Sequence, residues 1–111
     1  LEPRVAAHPA DAGARMALGR AYAALGRREG ALREAGRAVA LMPVSRDAID
    51  GANLLFDLAH VETVVGAHGA AAGHLADLLA IPSDVTVPLL RADPLWAPLR
   101  ADPRFRRLVG R

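Results

Sequence analysis

Residues 18–43 read LGRAYAALGRREGALREAGRAVALMP, and this stretch decides the fold. Two segments of helical periodicity meet at Gly26. Ahead of it, Ala14, Leu18, Ala21, Tyr22 and Leu25 recur at spacings that fall on one face of a helix. Asp11 is placed to cap that helix, because its carboxylate can accept from the free N–H groups of the first turn. Behind Gly26 a second helix starts near Arg28, with Ala31, Leu32, Ala35, Ala38, Val39 and Met42 as its apolar face. Its opposite face carries Arg28, Glu29, Arg33, Glu34 and Arg37. Glu29 precedes Arg33 by one helical turn, the favourable order for a surface pair worth about 0.2–0.5 kcal/mol. Glycine at position 26 suits a left-handed helix end, and Pro43 stops the second helix. The spacing predicts an antiparallel helical hairpin.

The same pattern returns. Leu18, Gly26, Ala31 and Ala38 reappear 40 residues later as Leu58, Gly66, Ala71 and Leu78. Gly19 becomes Ala59, still small; Tyr22 becomes Glu62; Pro43 finds its counterpart in Pro82. In this second unit Leu54, Leu58, Val61 and Val65 stripe the first helix, Gly66 ends it, and Ala71, Leu75, Leu78 and Leu79 stripe the second. The link VSRDAIDG at 44–51 joins the units, with Ser45 or Asp47 available as the next cap. Residues 1–9 read as the remnant of a preceding repeat, closed by Pro9, which leaves repeat 1 at 10–43 and repeat 2 at 44–83.

Residues 84–111 hold a smaller echo, RADPLW at 91–96 and RADPRF at 100–105. Asp followed by Pro is a helix start, with Asp as cap and Pro in the first turn. Each short helix would set one aromatic, Trp96 or Phe105, on the last hydrophobic face. Stacked hairpins cannot bury their apolar faces alone, and about three are needed for stability. The tail is therefore expected to act as a C-terminal cap over the Ala71–Leu79 helix.

The order Leu18, Gly19, Tyr22, Gly26, Ala31, Ala38, Pro43 resembles a tetratricopeptide repeat, over roughly residues 10 to 83. The resemblance implies an all-α fold in which antiparallel helix pairs stack as a short right-handed solenoid with a helical cap. It implies that small residues at Gly19 and Ala31 let the paired helices approach, that Tyr22 fills the space between them, and that Ala38 packs against the next unit. The second unit departs at Glu62 and at its Gly-rich turn, and the period exceeds the family's roughly 34 residues. The run from LMPVSRDA through LLAIPS to LLRADPLWAPLRADPRFRRLV also resembles the C-terminal ends of bacterial multidomain regulators. In those proteins such arrays follow a kinase, an adenylate cyclase or a winged-helix domain. The chain opens on Leu1 and not on Met, which reads as a piece of a longer protein.

Composition narrows the chemistry. The 111 residues are enough for one small domain, burying roughly 65% of the surface an unfolded chain exposes. Hydrophobic residues make up 52% but aromatics only 4%, so Ala, Leu and Val must build the core, and Ala favours helix. With no Cys there is no disulfide frame, thiolate metal site or cysteine nucleophile, which fits a reducing, cytoplasmic setting. No apolar run reaches the ~20 residues that span a bilayer. The sequence pI of about 10.4 overstates the charge, because net charge is +2 and every basic residue is Arg. From Val85 onward six Arg face two Asp, whereas the residues before carry eight Arg against ten acids.

No catalytic constellation emerges. His8, His60, His68 and His74 lack the spacing of a helical zinc site. Asp47 and Asp50 stand at a helix start, where acids favour the dipole. Ser45, Thr63, Ser83 and Thr86 sit in no nucleophile elbow, and the glycines form no phosphate loop. Arg104, Arg106, Arg107 and Arg111 lie beside too few aromatics for a nucleic-acid stripe and read as a solvated helix face. The expectation is a non-enzyme without cofactor or metal, acting by protein–protein contact, with self-association as the alternative and nucleic-acid contact through the C-terminal arginines ranked below it. In the family it resembles, the first helix of each pair lines the groove for an extended peptide or partner helix. Carried onto this chain, that groove presents Met16, Arg20, Ala23, Asn53, Phe56 and His60. Arg20 and Asn53 would hold a carboxylate or carbonyl, and Met16 and Phe56 an apolar side chain. Without lysines it departs from the family's clamp for C-terminal carboxylates. Met and aromatic residues at helical spacing are as readily core as groove.

Overall fold

Asp11 starts the first helix by accepting from the Ala14 amide at 3.0 Å. Helix α1 then runs Ala12–Ala24 and helix α2 Arg28–Leu41. Asp47 starts the next unit by accepting from Ile49 and Asp50 at 3.1 and 2.9 Å, ahead of α3 at Ala48–Val64 and α4 at His68–Leu79. The computed structural model describes residues 11–43 and 47–110. The expected remnant at 1–9, the Ser45 cap, His8 and Arg111 lie outside the described residues.

The two hairpin turns are built alike. In the first, Arg27 N–H donates to the Tyr22 carbonyl at 2.8 Å and Gly26 N–H to the Ala23 carbonyl at 3.1 Å. In the second, Ala67 donates to Glu62 at 2.7 Å and Gly66 to Thr63 at 3.3 Å. These paired bonds close a Schellman motif, which requires a left-handed residue. Gly26 and Gly66 supply it at φ 75° and 89°.

All elements among the described residues are helical. Helix α1 packs on α2, α3 on α4, and the hairpins meet through α2 against α3 and α1 against α3. Arg28 ties the two turns by donating to the Val65 carbonyl at 3.3 Å. The core is mainly Ala and Leu: Ala31, Ala35, Ala38, Ala59, Ala71, Leu75 and Leu78 are each fully buried. Gly19 makes the tightest approach to a neighbouring backbone, since a methyl there would lie 2.9 Å from the Ala35 nitrogen and 3.1 Å from the Ala31 carbonyl oxygen. The buried face of α3 is broader than a four-residue stripe. It takes in Ala52, Leu55 and Thr63, whose hydroxyl donates to the Ala59 carbonyl at 2.8 Å.

After Pro82 the chain folds back over the second hairpin. Ser83 donates to the Leu78 carbonyl at 3.1 Å and accepts from the Val85 amide at 3.2 Å, fixing the reversal. A short helix that the sequence reading omits, α5 at Val87–Ala92, starts at Thr86, which accepts from Leu89. A 3-10 helix at Pro94–Leu99 and α6 at Pro103–Leu108 follow. Asp93 and Asp102 cap them through Leu95 and Arg104 at 2.9 and 2.8 Å. The 3-10 helix packs on α3 and α4, and α6 on α4. Leu90, Trp96, Leu99 and Phe105 are at most 1% exposed, and a Trp buried to this degree contributes on the order of 3–5 kcal/mol.

Candidate functional site

Helix α3 displays Asn53, Phe56, Asp57 and His60 at intervals of three and four residues, so they share a face. Asn53 is exposed, and Phe56, Asp57 and His60 are half-buried. The face is floored by Trp96. Phe56 meets that indole edge-on, with centroids 5.4 Å apart and planes at 84°, and His60 stands at 6.5 Å and 74°. Exposed Arg20 of α1 borders the same surface and acts electrostatically on both Asp57 and His60. Burial holds the Asp57 carboxyl above the usual carboxylate range, with Arg20 and His60 pulling it back. Burial also lowers His60, Arg20 lowers it further, and Asp57 and Asp93 oppose the shift. The imidazole is thus biased to its neutral form, able to donate and accept hydrogen bonds.

Toward the start of α3 the surface deepens into a cleft of about 190 Å³, lined by Asn53, Phe56, Ser83, Asp84, Val85 and Leu89. Its apolar walls can take a side chain, while Asn53 and Asp84 offer hydrogen-bonding groups at the rim.

Of the six groove residues expected from sequence, Arg20, Asn53, Phe56 and His60 reach this surface. Met16 and Ala23 do not. They are 2% and 8% exposed and sit in the core, because α1 turns them toward its neighbours. For Met16 this is the core position that its helical spacing left open beside the groove. Leu25, assigned to the buried face of α1, is 68% exposed at its C-terminal cap. Ile49, at the start of α3, is 76% exposed.

Two polar clusters escaped the sequence reading. Glu34, assigned to the solvated face of α2, is 5% exposed. It gathers Arg15 at 2.8 Å, Arg33 at 3.2 Å and Arg37 at 3.6 Å. Arg33 therefore serves Glu34, its immediate neighbour, and not Glu29. Glu62 is likewise 5% exposed and bonds His74 Nδ1 at 2.7 Å. Position 62 read as a departure from the aromatic at Tyr22, and His74 only as lacking zinc-site spacing; their pairing shows only when α3 and α4 are laid side by side.

Among the described residues, no group of three or more His, Asp or Glu side chains could hold a metal ion. No helix among them is long and apolar enough to cross a membrane. No family model matches the chain, and no curated protein or solved structure matches it.

Proposed function

We propose that this chain is a non-catalytic protein–protein interaction module of tetratricopeptide type, the cytoplasmic C-terminal part of a larger bacterial regulatory protein. The surface of α1 and α3 bearing Arg20, Asn53, Phe56 and His60 takes an extended segment of the partner. One observation carries this reading. Side chains able to bind backbone and carboxylate groups stand beside a half-buried aromatic that is anchored on Trp96. Such a combination of apolar anchor and polar rim is what peptide grooves offer. The repeated hairpin, with its matching turns, supports the repeat reading.

The test is selection of peptides from a displayed random library, followed by fluorescence polarisation. Peptides that bind wild type should bind Arg20→Glu and Asn53→Ala about tenfold or more weakly, because hydrogen bonds to charged groups contribute about 1.5–3 kcal/mol. Both side chains are exposed, so circular dichroism should be unchanged. Equal binding by wild type and both variants, or a failure to select any peptide, would sink the groove.

Self-association is the second reading. Leu25 and Val64 are 68% and 52% exposed at the turn ends of the two hairpins. Arg28 brings those ends together through Val65. Sedimentation velocity across a concentration series separates the readings: a strict monomer removes this one.

A further inference from the structure

The C-terminal segment carries five described arginines, Arg91, Arg100, Arg104, Arg106 and Arg107, against two aspartates. Both aspartates are committed to helix capping, Asp93 to the Leu95 amide and Asp102 to the Arg104 amide. Among the described residues, none of the five guanidinium groups forms an ion pair with a carboxylate. The arginines of the first hairpin behave differently, since Arg15, Arg33 and Arg37 converge on Glu34.

Three of the uncompensated arginines share one place. Arg91, Arg100 and Arg106 line a cleft of about 500 Å³ together with Phe105, Val109 and Gly110, and among the described residues no acidic side chain lines it. Two of them are held in position by neutral acceptors. Arg91 donates through Nε to the Val109 carbonyl at 2.7 Å and through Nη2 to the same oxygen. Arg100 donates to the Arg91 carbonyl at 3.2 Å. These bonds fix the groups without cancelling their charge. Gly110 keeps the wall open, since a methyl there would come within 3.0 Å of Arg91 Nη2. Its φ of 79° also suits only glycine comfortably.

We infer that this cleft is a binding site for a small phosphate-bearing anion of pyrophosphate size or larger. Three guanidinium groups exceed what one carboxylate balances, whereas a phosphate carries nearly two charges and accepts forked donation from Arg. The volume lies within the roughly 300–1,000 Å³ of small-molecule sites. The arginines converge on a cleft and do not run as a stripe, which favours a compact anion over a nucleic-acid backbone.

The test is isothermal titration of the chain with inorganic pyrophosphate at constant ionic strength, then with ADP, and then with a short DNA duplex. Arg100→Gln and Arg106→Gln are the variants, chosen because both side chains are exposed, with circular dichroism as the check that the fold is kept. Saturable binding of pyrophosphate should be weakened about tenfold or more by each variant. Tighter binding of ADP would make a nucleotide the source of the phosphate, and equal binding a free polyphosphate. The inference is overturned if wild type binds neither, if the variants bind as wild type does, or if only the duplex binds.

Discussion

The two hairpins share a backbone and differ in what fills them. Their turns close through the same pair of hydrogen bonds around Gly26 and Gly66. In the first hairpin Tyr22 lies on Gly30, where an added methyl would meet its ring at 2.9 Å. In the second the position of Tyr22 is Glu62, which bonds His74 at 2.7 Å. The charges have also changed helices. In the first hairpin the buried carboxylate is Glu34 on α2, and α1 supplies its partner Arg15. In the second the carboxylate moves to α3, and His74 occupies the place of Glu34 on α4. A helix pair is thus specified by its turn and its small residues, while the filling between the helices is open to exchange. The exchange has a consequence: arginine stays charged at any ordinary pH, and histidine does not.

Coverage separates the hairpins most strongly. The 3-10 helix and α6 lie on α3 and α4, with Trp96 and Phe105 buried beneath them. Trp96→Ala should lower unfolding stability by about 3–5 kcal/mol in urea denaturation. In hydrogen exchange, amides of α3 and α4 should lose protection more than those of α1 and α2. Equal loss in both hairpins would mean that they unfold as one cooperative unit and that the comparison fails for stability.

A smaller effect distinguishes the closest approach in each pair. At Gly19 an added methyl meets the α2 backbone at 2.9 and 3.1 Å. Gly19→Ala should therefore destabilise by about 1–3 kcal/mol, although Gly→Ala within a helix ordinarily gains about 1 kcal/mol. Ala59, its counterpart, is fully buried and already carries its methyl. Ala59→Gly should cost about 0.5–1 kcal/mol through backbone entropy alone, before any loss of packing. A stabilised Gly19→Ala in thermal melts would show that the two pairs are equally spaced.

What the sequence made legible was local. Asp11, Asp47, Asp93 and Asp102 cap helices by bonds spanning two or three residues, and Gly26 and Gly66 end helices within one turn. The burial of Trp96 and Phe105 follows from apolar surface needing cover. Thr86 and Pro88 carried the start of α5 in the same local way and could have been read. The candidate site was legible only in part, because periodicity names a helix face but not its neighbour. Arg20 and Met16 stand four residues apart on α1, yet one is exposed and the other lies in the core. Glu34 was placed on the wrong face, and Glu62 left without its partner, for a related reason. A buried carboxylate looks like a surface one until its partner, 19 or 12 residues away, is laid against it.

The finest test of the contrast is pH. The hydrogen bond to Glu62 raises the affinity of His74 for its proton, burial opposes that, and the charges of Glu62 and Asp77 add to the rise. A histidine raised in the folded state contributes stability that is complete below its unfolded pKa near 6.5 and is lost as pH climbs through the higher folded value. The second hairpin should therefore weaken above pH 6.5. His60 is lowered, mainly by burial, so its contribution is present above pH 6.5 and fades as pH falls. The two losses fall on opposite sides of pH 6.5, so together they give a stability profile that peaks near that pH. In melts from pH 5 to pH 9, His74→Gln should remove the loss on the alkaline side, while His60→Gln should remove the loss on the acid side and leave the alkaline side as it is. The first hairpin supplies the control. Its carboxylate is held by arginines, so Glu34→Gln should lower the melting temperature by a similar amount at every pH in that range. A Glu34→Gln effect that varied with pH as His74→Gln does would show that the two buried carboxylates are not chemically distinct.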